Sequence, residues 1–140
     1  LQYAGANNPL WIIRKVRHSG LDPESHQMIA VQDSNDGNFE LIETLANKQP
    51  IGKYSNLNPF TTHTIELQKG DSIYIFTDGY ADQFGGEKGK KFKKSKLKEL
   101  LLNIQNHSMN KQLEIISQTF ENWKGNIYQI DDVCIIGVRI

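Results

Sequence analysis

Two short acidic sites carry the chemistry that this chain has to offer. Thr77-Asp78-Gly79 directly follows the apolar run Ile73-Tyr74-Ile75-Phe76, and Asp131-Asp132 directly precedes a second apolar run starting at Val133. Carboxylates gathered at one edge of a sheet repel one another unless a cation neutralises them, and hard divalent ions such as Mg²⁺ or Mn²⁺ prefer all-oxygen ligands. A metal pair lowers the pKa of a bound water and clamps phosphoryl oxygens during in-line attack. Gly79 suits such a place, because a residue without Cβ lets the backbone turn tightly. The same residues have an ordinary reading too. An Asp-Gly after a strand is commonly a turn, and an acidic pair before a strand is commonly solvated. Spacing alone leaves both open.

The two sites meet only if the elements around them are arranged to bring them together. Ser72 to Thr77 reads as a central strand, apolar on both faces and therefore covered on both. Val133 to Ile140 reads as a final strand. Between them lie two helical patterns. Leu97, Leu100, Leu101 and Ile104 recur after Ser95 as N-cap, and Leu113, Ile116, Phe120 and Trp123 recur after Asn110 as N-cap, with Gly125 closing the second helix. If the two strands are antiparallel neighbours joined by this helical pair, the end of the first lies beside the start of the second, and Asp78 faces Asp131 across one edge.

The first half reads as strands and turns. Pro9 to Arg14 is one strand. Met28 to Gln32 and Phe39 to Leu45 form a hairpin around Asp36-Gly37, and Phe60 to Leu67 alternates up to the turn Lys69-Gly70-Asp71. The polar stretch from His18 to His26 reads as an exposed loop. The whole is α+β, a mostly antiparallel sheet with a helical pair on one face.

Charge and composition remove several function classes. Lys plus Arg number 16 and Asp plus Glu number 16, so a net charge of zero gives no global attraction to nucleic acid or anionic membrane. No apolar stretch reaches the roughly 20 residues that span a bilayer. The one cysteine, Cys134, excludes an intrachain disulfide and fits a reducing compartment, so the cytoplasm is expected. Gly85 to Lys91 has the wrong glycine spacing for a phosphate-binding loop, and Asp33 to Gly37 lacks the closing Glu of a calcium loop. His18, His26, His63 and His107 have no zinc spacing. The lysines between Lys88 and Lys98 form a basic cluster without the interleaved aromatics of a single-strand binder. They are either a solvated face or, lying beside Asp78, a guide for a phosphorylated substrate.

The run from Lys69 to Phe84, containing Gly70-Asp71 and Thr77-Asp78-Gly79 with Asp82, resembles the "GD…TDG…D" segment of SpoIIE-like phosphatases of the PP2C/PPM superfamily. Four further segments resemble that family in its own order. They are Tyr3 to Pro9 ("AGHNP", with Ala6-Asn7 where Gly-His is commoner), Gln49-Pro50-Ile51-Gly52 ("PLG"), Lys88 to Phe92, and Asp131-Asp132-Val133-Cys134 ("DD(I/M)(T/S)").

The resemblance implies that residues 1–140 are part of an αββα sandwich, the C-terminal part of a phosphatase domain. It implies hydrolysis of phosphoserine or phosphothreonine by metal-activated water, with Asp78 and Asp131 as ligands to Mn²⁺ or Mg²⁺. Gly79, Asp82 and Asp132 then play supporting roles around them. The implied substrate is a phosphorylated bacterial regulatory protein, such as a STAS-type anti-sigma-factor antagonist, and no nucleic acid. The family's two upstream acidic elements do not occur here, so the chain alone is expected to be inactive, and a sheet cut from a larger sandwich is expected to self-associate. The alternative is a non-catalytic interaction module on a degenerate phosphatase fold.

Overall fold

A computed structural model describes residues 1–16, 38–53 and 58–140. In chain order the elements are β1 (Gln2–Tyr3), β2 (Leu10–Lys15), β3 (Phe39–Thr44), β4 (His63–Thr64), β5 (Ser72–Phe76), α1 (Gly79–Asp82), β6 (Phe84–Gly85), β7 (Lys90–Lys91), α2 (Lys94–Asn103), α3 (Met109–Lys124) and β8 (Ile135–Arg139). The α+β class holds. A four-stranded sheet has the order β3-β2-β5-β8, and every pairing in it is antiparallel.

The sheet's two faces follow from the period-2 alternation of its strands. Trp11, Ile13, Leu41, Tyr74 and Phe76 point to one side, where they form a core with Leu97, Leu101, Ile116 and Phe120 of the helices. Leu10, Ile12 and Ile42 make a smaller cluster on the other side, flanked by Tyr3, Ile65, Leu67 and Ile73. Helix α3 earns its place through Ile116 and Phe120, while Ser108 accepts a hydrogen bond from Lys111 N and caps its start. Inside the main core a polar chain is fully used: Gln105 donates to the Tyr74 hydroxyl at 2.8 Å, and that hydroxyl donates to Gln112 Oε1.

Several expectations need correction. Strand β5 is central, but its second face is only partly covered among the described residues: Ile73 packs against the smaller cluster, whereas Ile75 is 43% exposed, and Ile136 and Val138 on β8 are each 50% exposed. Apolar residues on both faces of a strand do not by themselves say that both faces are covered within this chain. The α2 cap is Lys93, not Ser95, and the α3 cap is Ser108, not Asn110. The Phe60 to Leu67 alternation yields only the two residues of β4, which pair with β1. Among the described residues strand β3 pairs with β2, with Ile12 opposite Ile42, and this leaves the expected pairing with Met28 to Gln32 neither met nor contradicted. Met28 to Gln32, the His18 to His26 loop and the Asp36-Gly37 turn lie outside the described residues.

Candidate functional site

Strands β5 and β8 run antiparallel with Phe76 opposite Ile135, so the exit from one is the entrance to the other. The chain returns to this point through the α2–α3 pair, 53 positions after leaving it at Asp78, as the numbers of Asp78 and Asp131 give. Backbone and side chain then lock the two loops together. Thr77 N donates to Cys134 O at 3.0 Å. The Thr77 hydroxyl donates to Asp132 O at 2.8 Å and accepts from Cys134 N at 3.0 Å.

Gly79 explains itself in the same place. A Cβ at that position would stand 2.4 Å from the carbonyl oxygen of Asp132, closer than any real contact. Only glycine lets the two acidic loops approach this closely.

The acidic side chains are on the surface of this junction. Asp78, Asp131 and Asp132 are exposed. Asp78 occupies the N-cap position of α1, where an aspartate ordinarily accepts from the helix's first N–H groups, yet its side chain makes no capping bond. Its carboxylate is therefore not spent on the local turn. Asp131 Oδ1 accepts from Asp132 N at 2.7 Å, which stiffens the second loop. Asp82 lies one helical turn beyond Asp78 and is ion-paired to Lys91 at 3.0 Å, which faces it toward the β6–β7 hairpin. Thus the strand pairing brings the Asp78 and Asp131-Asp132 loops together, and Asp82 is engaged elsewhere.

Two positioning residues were not legible in the sequence. Thr77 acts through its hydroxyl across the strand pair, a role hinted at only by its place before Asp78. Gln83 is fully buried, donates to Tyr128 O at 3.0 Å and accepts from Ile130 N at 3.3 Å, so it fastens the segment leading into Asp131. An isolated glutamine after a short helix carries no sequence signal for such a role.

The donor chemistry suits a hard cation, since Asp78, Asp131 and Asp132 offer only oxygen. Among the described residues, however, no three His, Cys, Asp or Glu side chains gather closely enough to hold a metal ion. Also among the described residues, no helix is long and apolar enough to cross a membrane.

The turn of Gly5 to Asn8 meets the segment before Pro50: Asn7 N donates to Asn47 O at 2.8 Å, and Asn47 N donates to Gly5 O at 2.9 Å. Asn7 takes a positive φ of 61° there, a conformation that Asn tolerates better than most residues. Two of the short sequence elements are therefore one structural unit.

An antiparallel sheet with a helical pair on one face and paired acidic loops at its edge defines a PP2C-like fold. The solved structure of the SiaA-PP2C domain of Pseudomonas aeruginosa superposes with a TM-score of 0.72 at 21% sequence identity, covering 99% of this chain and 45% of that one. The chain thus spans less than half the length of that relative. Over residues 24–140 the sequence matches the family described as Stage II sporulation protein E (SpoIIE), and the chain belongs to that family. No curated protein matches the sequence.

Proposed function

We propose that the chain is part of a metal-dependent protein serine/threonine phosphatase, in which Asp78 and Asp131 contribute carboxylates to a Mn²⁺ or Mg²⁺ centre. The observation that carries this is the junction itself. Two acidic loops far apart in sequence are fixed together through Thr77 and Gly79, and the Asp78 carboxylate is left unused by its own helix. Asp132 supports this centre from its margin, while Asp82 is held by Lys91. When bound, the metal supplies an activated water and neutralises phosphoryl charge. This chain's own residues hold the two loops in register and orient the carboxylates.

Because no group of three ligands forms among the described residues, the rest of the donor set comes from elsewhere in the complete domain. The chain by itself is accordingly inactive. The substrate in this reading is a phosphorylated regulatory protein of the STAS-type anti-sigma-factor antagonist kind, acted on in the bacterial cytoplasm. The same lack of three ligands favours a second reading, a non-catalytic interaction module on this fold.

A manganese-dependent phosphatase assay on the full-length protein, beside its Asp78→Asn and Asp131→Asn variants, separates the two. Turnover that each substitution lowers by about a hundredfold or more supports the enzyme. A full-length protein with no turnover under any divalent metal establishes the interaction module.

A further inference from the structure

The strongest feature outside the acidic junction is a cavity of about 470 Å³ between the β6–β7 hairpin, the start of α2 and the end of α3. Lys88, Lys90, Lys91, Lys93 and Lys96 line it together with Trp123. One acidic side chain, Glu87, interrupts this lining. Lys91 is neutralised by Asp82, and Lys96 lies 4.1 Å over the Trp123 ring. Lys88, Lys90 and Lys93 are exposed and enter no ion pair among the described residues.

The cavity is a built one. Gly86 N donates to Trp123 O at 2.8 Å, and Trp123 Nε1 donates to Gln83 O at 3.0 Å. A Cβ at Gly85 would strike Trp123 O at 1.9 Å, so the hairpin can sit on α3 only with glycine there. Lys93 is held at φ 77° and ψ 146°, a region that is essentially reserved for glycine. A cationic side chain is thus kept at a position where the backbone favours no side chain at all. Backbone bonds maintain it: Lys93 N donates to Ala81 O at 2.7 Å, and Phe92 N donates to Gln83 O at 2.9 Å. The α1 turn that starts next to Asp78 is therefore bonded to the segment that lines this pocket.

We propose that this lysine-lined pocket binds an acidic segment of the protein substrate and presents its phosphorylated residue to the Asp78–Asp131 edge. Several ammonium groups around one pocket fit carboxylates along a polypeptide, and the Trp123 indole among them fits the aliphatic parts between those carboxylates. A single aromatic in the lining offers no row for stacking nucleotide bases. That the segment is a phosphatase substrate rests on the proposed function. That the pocket binds it does not.

The test uses the full chain and a fluorescein-labelled phosphoserine peptide flanked by aspartate and glutamate, with a peptide flanked by serine and glycine as comparison. Fluorescence anisotropy reads binding without any metal or turnover. The acidic peptide is expected to bind at least about tenfold tighter, and the difference is expected to shrink on raising salt from about 50 to 300 mM. Lys88→Glu with Lys90→Glu is expected to abolish the preference, and Lys69→Glu, in a turn away from the pocket, to preserve it. Lys93→Gly is expected to weaken binding severalfold while leaving the chain at least as stable, which separates loss of binding from loss of fold. Equal affinity for the two peptides, or a preference that survives the double substitution, overturns the proposal. So does tighter binding of a single-stranded DNA oligonucleotide of matched charge. Binding that holds while the full-length protein shows no phosphatase turnover keeps the pocket and removes the enzyme.

Discussion

The hydroxyl of Thr77 lies 2.8 Å from the main-chain carbonyl of Asp132 and makes the shortest side-chain tie between the two acidic loops. It also receives the N–H of Cys134. Replacing Thr77 by Val keeps the shape and removes both bonds. Each neutral hydrogen bond contributes about 1 kcal/mol net, so Thr77→Val should cost about 1–2 kcal/mol in urea unfolding. Thr77→Ser should restore most of it. In the full-length protein, Thr77→Val should also raise the manganese concentration needed for half-maximal activity, and an unchanged metal requirement would remove its positioning role.

Gly79→Ala should be worse than Thr77→Val. The new methyl meets backbone, 2.4 Å from Asp132 O, so no side chain can swing aside to accommodate it. We expect at least about 2 kcal/mol of destabilisation, the scale of forced overpacking, and activity of the full-length protein reduced by tenfold or more. Wild-type unfolding midpoint and activity together would show that the loops do not approach as described.

Lys93→Gly should stabilise the chain. Relief of a residue-specific backbone strain of order 1–3 kcal/mol outweighs the added freedom of glycine in the unfolded chain, about 1 kcal/mol or less. A net gain of about 1 kcal/mol in chemical denaturation is the expected result, and a loss of stability would show that Lys93 is not strained.

Alkaline pH should unfold this protein through its buried tyrosines. Burial pushes the Tyr80 phenol well above its ordinary value of 10.0, and burial raises that of Tyr74 despite the hydrogen bond from Gln105. In the unfolded chain these phenols ionise first. The unfolded state then holds fewer protons than the folded one, so stability falls as pH rises above about 10 and is unaffected below it. Tyr80→Phe, which loses the bond to Ile116 O, should cost about 1 kcal/mol at neutral pH and flatten the alkaline decline. A decline of unchanged steepness would assign it to other groups.

The far face of β5 and β8 should drive association of the isolated chain. Ile75, Ile136, Val138 and Ile140 leave an apolar surface in water, beside the open edge of β8. Light scattering should show a mass that rises with concentration, and Ile136→Lys with Val138→Lys should return it toward a monomer. A wild-type chain that stays monomeric at high concentration would refute this.

Much of the architecture was legible because its signals are periodic. The i, i+3, i+4, i+7 spacing of Leu97 to Ile104 reports which face of the helix is buried, and the continuous run Ile73 to Phe76 marks a strand inside the sheet. The meeting of the Asp78 and Asp131 loops was legible as well, since an antiparallel partner joined by a helical pair must return to the same edge. Helix starts were not: capping depends on one hydrogen bond, Ser108 makes it for α3 where Asn110 was equally plausible by residue type, and α2 starts after Lys93 with no side-chain cap. Nor could an apolar strand disclose that Ile75, on its second face, stays exposed among the described residues. Gln83 was invisible because a buried amide is chosen by its three-dimensional surroundings and by nothing in its local pattern.

The route from β5 through two helices to β8 divides the acidic edge between stretches that never meet until the sheet is complete. A cut in the α2–α3 connection near His107 would leave Asp78 on one piece and Asp131 on the other. The five paired positions of β5 and β8 would then be the means by which the pieces find each other, so the chain is suited to complementation by halves, with recovered helix and strand content reporting their reunion.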